Sequence, residues 1–421
     1  MTLPRVRHKS AQEPRSVQTE TSPVEPIARG SPFEVFLVAL KLGLTSFGGP
    51  VAHLGYFHIE FVHRRRWLTE EMYSEVVALS QALPGPASSQ AGIAVGLLRA
   101  GYLGGLLAWI GFTLPSALAL MAFGYGVNEI GSVEDEAWLH GLKLAAVAIV
   151  GLAVWSMARS LAPDKERATM AILAAVVVLS WETALAQVVV IALAGVIGWQ
   201  LFRGTATPSA AHVASPVGRN VAVGAWVVFF GLLGGLPLLA AAGHSQAVEL
   251  FDAFYRTGSL VFGGGHVVLP LLEREAVSPG WVTQDDFLAG YGAAQAVPGP
   301  LFTFSAYLGT VMEPAPNGFV GAALALGAIF LPSFLLIAGG MPVWALLRSR
   351  PVFQSALRGI NAAVVGLLVA ALYDPVWKSG VLEAEDFAIA ITAFGLLAFW
   401  RLPPWVVVVF AAVAAEAVAT L

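Results

Sequence analysis

The sequence predicts an all-α integral membrane protein made of two inverted-topology repeats of transmembrane helices, with broken or re-entrant segments at two repeated motifs. Three observations carry this: an apolar composition, a pair of motifs that occurs twice, and a basic-residue bias that changes sign between the two occurrences. With 57% hydrophobic and 12% charged residues and a mean hydropathy of +0.74, the 421-residue chain is too apolar to keep its surface in water. Apolar runs near the roughly 20 residues of a helical crossing lie at 103–126, 138–158, 220–242, 319–347 and 353–373. They are continuous and lack the alternation of a transmembrane strand, so helices outrank a barrel.

The duplication is read from order and spacing together. Lys41-Leu-Gly-Leu-Thr-Ser-Phe-Gly-Gly-Pro50 returns as Arg256-Thr-Gly-Ser-Leu-Val-Phe-Gly-Gly-Gly265, and Gln81-Ala-Leu-Pro-Gly-Pro86 returns as Gln295-Ala-Val-Pro-Gly-Pro300. The offset is 215 from Phe47 to Phe262 and 214 from Pro84 to Pro298. Leu114-Pro115-Ser116 is echoed by Leu331-Pro332-Ser333, and the segment beginning at Gly141 by that beginning at Gly359. A repeat of this size in apolar sequence points toward a transporter. The organisation that follows is a disordered cytoplasmic tail over 1–32, a first repeat over 33–203, a linker with one connecting helix over 204–247, and a second repeat over 248–421.

Short basic loops stay in the cytoplasm, and matched loops of the halves carry opposite signs. Arg64, Arg65 and Arg66 stand against Glu273, Arg274, Glu275, Asp285 and Asp286. Glu129, Glu134, Asp135 and Glu136 stand against Arg348 and Arg350, and Arg159, Lys165 and Arg167 against Asp374, Lys378, Glu383, Glu385 and Asp386. The halves are therefore expected upside down relative to each other, with 220–242 as the odd crossing. If Arg64–Arg66 and Arg99 share the cytoplasmic face, 70–98 enters the membrane and returns, with Pro84-Gly85-Pro86 at its tip. Prolines end a helix there and glycine accepts turn geometries closed to other residues. The stretches 33–59, 251–272 and 286–313 have the same character. The runs around Arg401-Leu-Pro-Pro404 read either as half-spanning helices or as one interrupted crossing.

Irregular backbone at membrane depth is tolerated only where it is buried in protein or lines a watery cavity, and each break starts a helix with bare amides suited to an anion. Candidate substrate contacts are the breaks themselves: Gly48, Gly49, Pro50, Pro84, Gly85, Pro86, Gly263, Gly264, Gly265, Pro298, Gly299 and Pro300. Around them stand the polar residues Ser88, Ser89, Gln90, Thr303 and Ser305, whose alternative is helix packing or capping. Gln81 and Gln295 precede the tips, to hold freed carbonyls or to touch substrate. His53 and His266 are candidate proton relays against a structural alternative. Lys41 and Arg256 occupy equivalent positions inside apolar sequence, which calls for a cavity or a partner; snorkelling to an interface is the other account.

Other classes are disfavoured. There is no cysteine, hence no disulfide, thiolate metal site or thiol redox chemistry, and the net charge of −4 says little about partners. The arginines form no stripe for nucleic acid. Phe262-Gly-Gly-Gly-His266 lacks the strand, helix and Lys-Ser/Thr ending of a nucleotide loop, and no HExxH or Cys/His cluster supports a zinc hydrolase. No cofactor or metal is expected, and no enzyme activity.

At Phe47-Gly-Gly-Pro-Val-Ala-His-Leu54, Trp67-Leu68, Leu83-Pro-Gly-Pro-Ala-Ser-Ser-Gln90, Phe262-Gly-Gly-Gly-His266 with Pro270, and Val297-Pro-Gly-Pro300, the chain resembles the chromate ion transporter family in its long, two-domain form. The resemblance runs from about residue 33 onward. It implies a bacterial inner-membrane protein that exports chromate, a tetrahedral dianion similar to sulfate, and a role for these motif residues in the anion path. Sulfate or another small inorganic anion stays open as substrate, as do a channel mechanism and a homo-oligomer. The partners expected are that anion and the lipid bilayer, with no nucleic acid. Two departures stand out: Gly265 replaces Pro50, and Leu301-Phe302-Thr303-Phe304 replaces the Ala-Ser-Ser-Gln tetrad, so the two tips cannot bind symmetrically.

Overall fold

The computed structural model describes residues 29–130, 137–181, 184–202, 215–243, 245–262, 267–313, 315–344 and 350–420, and among them every regular element is helical. The first half comprises α1 (Pro32–Thr45), α2 (Gly49–His58) running into a π-helical turn (Ile59–Arg64), α3 (Glu70–Ala82), α4 (Ala87–Ile130), α5 (Ala137–Leu161), α6 (Lys165–Ser180) and α7 (Ala184–Leu201). Then comes α8 (Arg219–Ala241). The second half comprises α9 (Gln246–Leu260), α10 (Val268–Ala276), α11 (Gln284–Ala296), a 3-10 turn (Leu301–Thr303), α12 (Phe304–Val311), α13 (Gly318–Gly340), α14 (Pro351–Ala371), α15 (Ala384–Ala398) and α16 (Pro404–Ala419). The expected tail lies almost wholly outside the described residues.

Among the described residues five helices are long and apolar enough to cross a membrane, Ala87–Glu129, Ala137–Leu161, Arg219–Ala241, Gly318–Val343 and Pro351–Gly380, and each overlaps one of the five apolar runs. The first is interrupted, because Ala100 (φ −142°, ψ 23°) and Gly101 (φ 67°, ψ −161°) are not helical. That leaves a short arm, 87–99, before the long one, and the same short-then-long order recurs in α12 and α13. Helix starts follow from capping chemistry. Thr69 accepts from the Met72 N–H and Thr283 from the Asp286 N–H, each followed by acids in the first turn that suit the positive end of the helix dipole.

Several short helices end close to the repeated motifs. α1, at 14 residues, is roughly 21 Å long against the roughly 30 Å of a hydrocarbon core. It ends at Thr45 and α2 starts behind Gly48; α3 ends two residues before Pro84; α11 ends two residues before Pro298. At the second glycine-rich motif α9 stops at Leu260 and α10 begins at Val268, while Gly263, Gly264, Gly265 and His266 lie outside the described residues.

Both tip segments return to where they left. Arg99 comes back over the Trp67 ring, 5.1 Å from its centroid, and shares the Glu34 carboxylate with Arg65, each at 3.4 Å. The Glu313 N–H likewise reaches the Trp281 carbonyl at 3.0 Å. The first segment therefore opens beside residue 101 of α4. The second opens near residue 124, where Gly124 abuts Thr310 and Tyr125 abuts Gly318, roughly 35 Å further along the same helix.

The halves are also interleaved. α5 packs on α15 and α16 of the second half, and α14 packs on α6 and α7 of the first. Close approach is what the repeated glycines provide: a Cβ on Gly141 would lie 2.5 Å from the Ala411 carbonyl, and one on Gly359 would strike that of Ala194. α15 and α16 pack on each other as a hairpin, turned at Arg401 with φ 54°, which settles the 387–420 region as two helices. α8 is peripheral: 22% of its apolar window is buried, against 61% for α5.

Candidate functional site

The Pro-Gly-Pro tips hold the halves together. Both glycines take left-handed backbone, Gly85 with φ 118° and Gly299 with φ 99°, where a side chain would be strained. The turn frees each glycine N–H for a partner outside its own segment. Gly85 N–H donates to the Val261 carbonyl at 2.6 Å, and Gly299 N–H donates to the Ser46 carbonyl at 2.9 Å. Ser46 and Val261 immediately precede Phe47 and Phe262, so each half's tip is bonded to the other half's glycine-rich break. A Cβ at Gly85 would lie 2.6 Å from Gln90 Nε2 and 3.2 Å from Ser333 Oγ; one at Gly299 would lie 2.8 Å from Ser116 Oγ. The echoed serines Ser116 and Ser333 thus occupy matching places against the tips.

Polar side chains gather there, out of contact with solvent: Ser46, His53, Ser88, Ser89, Gln90, Thr113, Ser116, Thr303, Ser305 and Ser333 are all buried. Some are satisfied locally. His53 Nδ1 lies 3.3 Å from Ser88 Oγ, Gln90 Nε2 donates to the Pro84 carbonyl at 2.6 Å, and Thr303 Oγ1 donates to that of Pro300 at 2.7 Å. Others have no partner: the hydroxyls of Ser46, Ser89, Thr113, Ser305 and Ser333, Gln90 Oε1 and Gln295 Nε2. Buried polar atoms are normally paired, and seven of the thirteen unpaired side-chain atoms among the described residues fall at these two tips. Five hydroxyls and one amide are donors, the chemistry that an oxyanion's oxygens accept.

Other predicted residues are placed differently. Gly48 caps α2 with φ 96° and is exposed, with Gly49 and Pro50 half-buried behind it. Gln81 is exposed and stands apart from the buried set, whereas Gln295 is half-buried against the Tyr291 hydroxyl. Lys41 Nζ pairs with Glu60 at 3.1 Å, and Arg256 pairs with Glu275 and Asp252, both at 2.9 Å. The cations of the two halves are therefore each paired with a carboxylate, Lys41 in an exposed place and Arg256 in a half-buried one. Glu60 and Glu275 each follow their cation by 19 positions, a spacing that was available in the sequence. Glu60 also takes Arg65 at 2.8 Å and Arg64 at 3.5 Å.

A largely apolar cavity lies beside Arg256. It measures about 320 Å³ and is bounded by Gln187, Arg256, Thr257 and Glu275 with apolar Leu233, Leu260 and Leu271. Gln187 Oε1, Thr257 Oγ1 and Arg256 Nε have no partner there. Gln187 comes from α7, where sequence patterning gave no sign of it.

Long apolar helices with a buried polar seam between two similar halves define a multi-pass membrane protein with the build of a transporter. The chain belongs to the chromate transporter family, whose description, "Chromate transporter", matches residues 33–199 and 248–415. The two matched stretches are the two halves, and α8 lies between them. A probable chromate transport protein of Synechococcus elongatus is 27% identical over 89% of this chain and 92% of its own length. The chromate transport protein of Pseudomonas aeruginosa is 27% identical over 88% and 86%, and an uncharacterised transporter of Methanocaldococcus jannaschii is 24% identical over 81% and 83%. No solved structure matches the chain.

Proposed function

We propose that this protein is a secondary transporter that exports chromate across the bacterial inner membrane, and that the anion passes between the interlocked tips of two inverted repeats. The observation that carries the reading is the reciprocal pair of hydrogen bonds, Gly85 to Val261 and Gly299 to Ser46, set among buried donors that lack partners. Support for the inversion comes from the mouths of the two tip segments, at opposite ends of α4, and from the opposite signs of the matched loops. In this reading the repeats are 33–203 and 248–421, joined through 204–247, with the N-terminal side in the cytoplasm.

Ser46, Ser89, Thr113, Ser305 and Ser333 donate to the oxygens of the tetrahedral anion. The first amides of α4, at Ala87, Ser88 and Ser89, add the positive end of a helix. Lys41 and Arg256, held by their carboxylates, set the local charge at the approaches. A dianion leaving an inside-negative cell gains roughly 2.3 kcal/mol per charge per 100 mV, or about 4.6 kcal/mol in all, so the membrane potential suffices as driving force. Opening one tip contact while the other holds would expose the seam to one side at a time.

The test is radiolabelled chromate counterflow in proteoliposomes, with sulfate as competitor. A transporter gives uptake stimulated by chromate inside. Uptake indifferent to the trans anion means a channel, and equal preference for sulfate moves the substrate to that anion.

A further inference from the structure

We propose that His58, His63 and Glu70 form a binding site for a divalent transition-metal ion of the zinc class, lying outside the anion path and acting as a clamp between two segments of the first half. His58 is the last residue of α2, His63 lies in the π-helical turn that continues it, and Glu70 is the first residue of α3. In an ordinary α-helix, residues five apart point roughly 140° away from each other. The wider π turn pairs i with i+5 and swings His63 over His58, leaving their rings 4.7 Å apart. His58 Nε2 is 2.6 Å from Glu70 Oε2, and His63 Nε2 is 3.7 Å from Glu70 Oε1. The three ligand atoms all lie within 4.8 Å of one another.

Two imidazoles and a carboxylate, with no thiolate anywhere in the chain, suit zinc, cobalt or nickel, and three protein ligands leave positions for water. Ligand distances of roughly 2.0–2.2 Å need only small side-chain shifts, which partial exposure allows: the side chains are 33%, 60% and 57% exposed. The neighbouring cations are turned away, since Arg64 and Arg65 both engage Glu60. At the matching second-half positions stand Glu273, Ser278 and Gln284, so the site belongs to one half alone. An ion there would tie the end of the α1–α2 segment to the start of the α3–α4 segment. If those segments shift during transport, the metal slows the cycle.

The alternative is a plain His58–Glu70 ion pair, and the experiment separates the two. Full-length protein freed of any polyhistidine tag and of bound metal, in lipid nanodiscs, is titrated with ZnCl2 by calorimetry and with cobalt(II) by visible spectroscopy. Saturable binding of one ion per chain is expected, weakened about tenfold or more in His63→Ala and in Glu70→Gln, with Zn2+ slowing chromate counterflow by the wild type and sparing His63→Ala. Metal-free counterflow by His63→Ala, expected to equal that of wild type, checks that the variant is folded. Failure to bind saturably, binding indifferent to both substitutions, or equal slowing of wild type and His63→Ala would each overturn the proposal. All of these are distinct from a failure of chromate transport itself.

Discussion

The two tips share a backbone and differ in what surrounds it. In the first half the residues after Pro86 are small and polar: Ser88 is paired with His53, and Ser89 has a buried hydroxyl without a partner. In the second half the corresponding turn is packed by rings. Phe304 meets Phe287 edge-on at 5.1 Å and Tyr291 at 5.8 Å, and stacks on Tyr307 at 5.9 Å, while the Tyr307 hydroxyl donates to the Asp286 carbonyl at 2.9 Å. Duplication supplied one frame twice, two glycine turns each bonded across to the other copy. Divergence then placed small polar residues after one tip and rings after the other, while buried hydroxyls without partners stand at both.

The most severe way to break the shared frame is to fill it. Gly85→Leu and Gly299→Leu force a side chain into left-handed backbone and against Gln90 and Ser333 or Ser116. Each is expected to abolish chromate counterflow while membrane insertion, followed by protease protection, stays intact. Transport surviving in both would mean that the tips do not line the path.

The small polar residues after Pro86 predict the next largest effect. Ser88→Ala with Ser89→Ala removes two hydroxyls at the polar tip, and hydrogen bonds to a charged group are worth roughly 1.5–3 kcal/mol, so counterflow at low chromate should fall by about tenfold or more. Thr303→Ala loses only the local bond to Pro300 and should change counterflow by less than about twofold. Equal losses from the two changes would contradict a greater role for the hydroxyls after Pro86 than for the locally bonded Thr303.

The ion pairs sharpen the comparison through stability. Arg256→Gln strands Asp252 and Glu275, with side chains only 7% and 16% exposed, and should cost about 3 kcal/mol. Lys41→Gln leaves Glu60 with Arg65 and Arg64 and should cost about 1 kcal/mol or less. Thermal melting in detergent ranks the two. Tyr307→Phe, with a cost as small as that of Lys41→Gln, loses one hydrogen bond worth about 1 kcal/mol; the melting point drops slightly and chromate counterflow is unchanged.

Much of this frame was legible in the sequence because chain chemistry is local. Pro84-Gly85-Pro86 and its copy read as turns and the five apolar runs read as helices, while the echo of Gly141 in Gly359 marks a duplication whose glycines prove to lie at close helix contacts. What could not be read was which surfaces meet. The bond from Gly85 to Val261 joins residues far apart in the chain, and the packing of α5 on α15 and α16 follows from tertiary fit and not from pattern. Glu60 sits past the motifs and Glu275 reads only as a loop acid, although equal spacing from Lys41 and Arg256 marks both as partners. Gln81 and Gln295 match in sequence yet differ in burial, since an echo fixes backbone position and leaves the neighbours free. Ser46, Thr113, Ser116 and Ser333 become candidates only once the tips are seen to reach across.

Sidedness gives the most direct test of the central claim, that the copies are interlocked upside down. The chain has no cysteine, so single thiols can be placed without background at Arg66→Cys and Ser278→Cys, both exposed in corresponding loops of the two halves. Oriented membrane vesicles are treated with a membrane-impermeant maleimide from one side, then the other. The account predicts that the residue 66 thiol reacts only from the cytoplasmic face and the residue 278 thiol only from the opposite one. Labelling of both from the same face would contradict it.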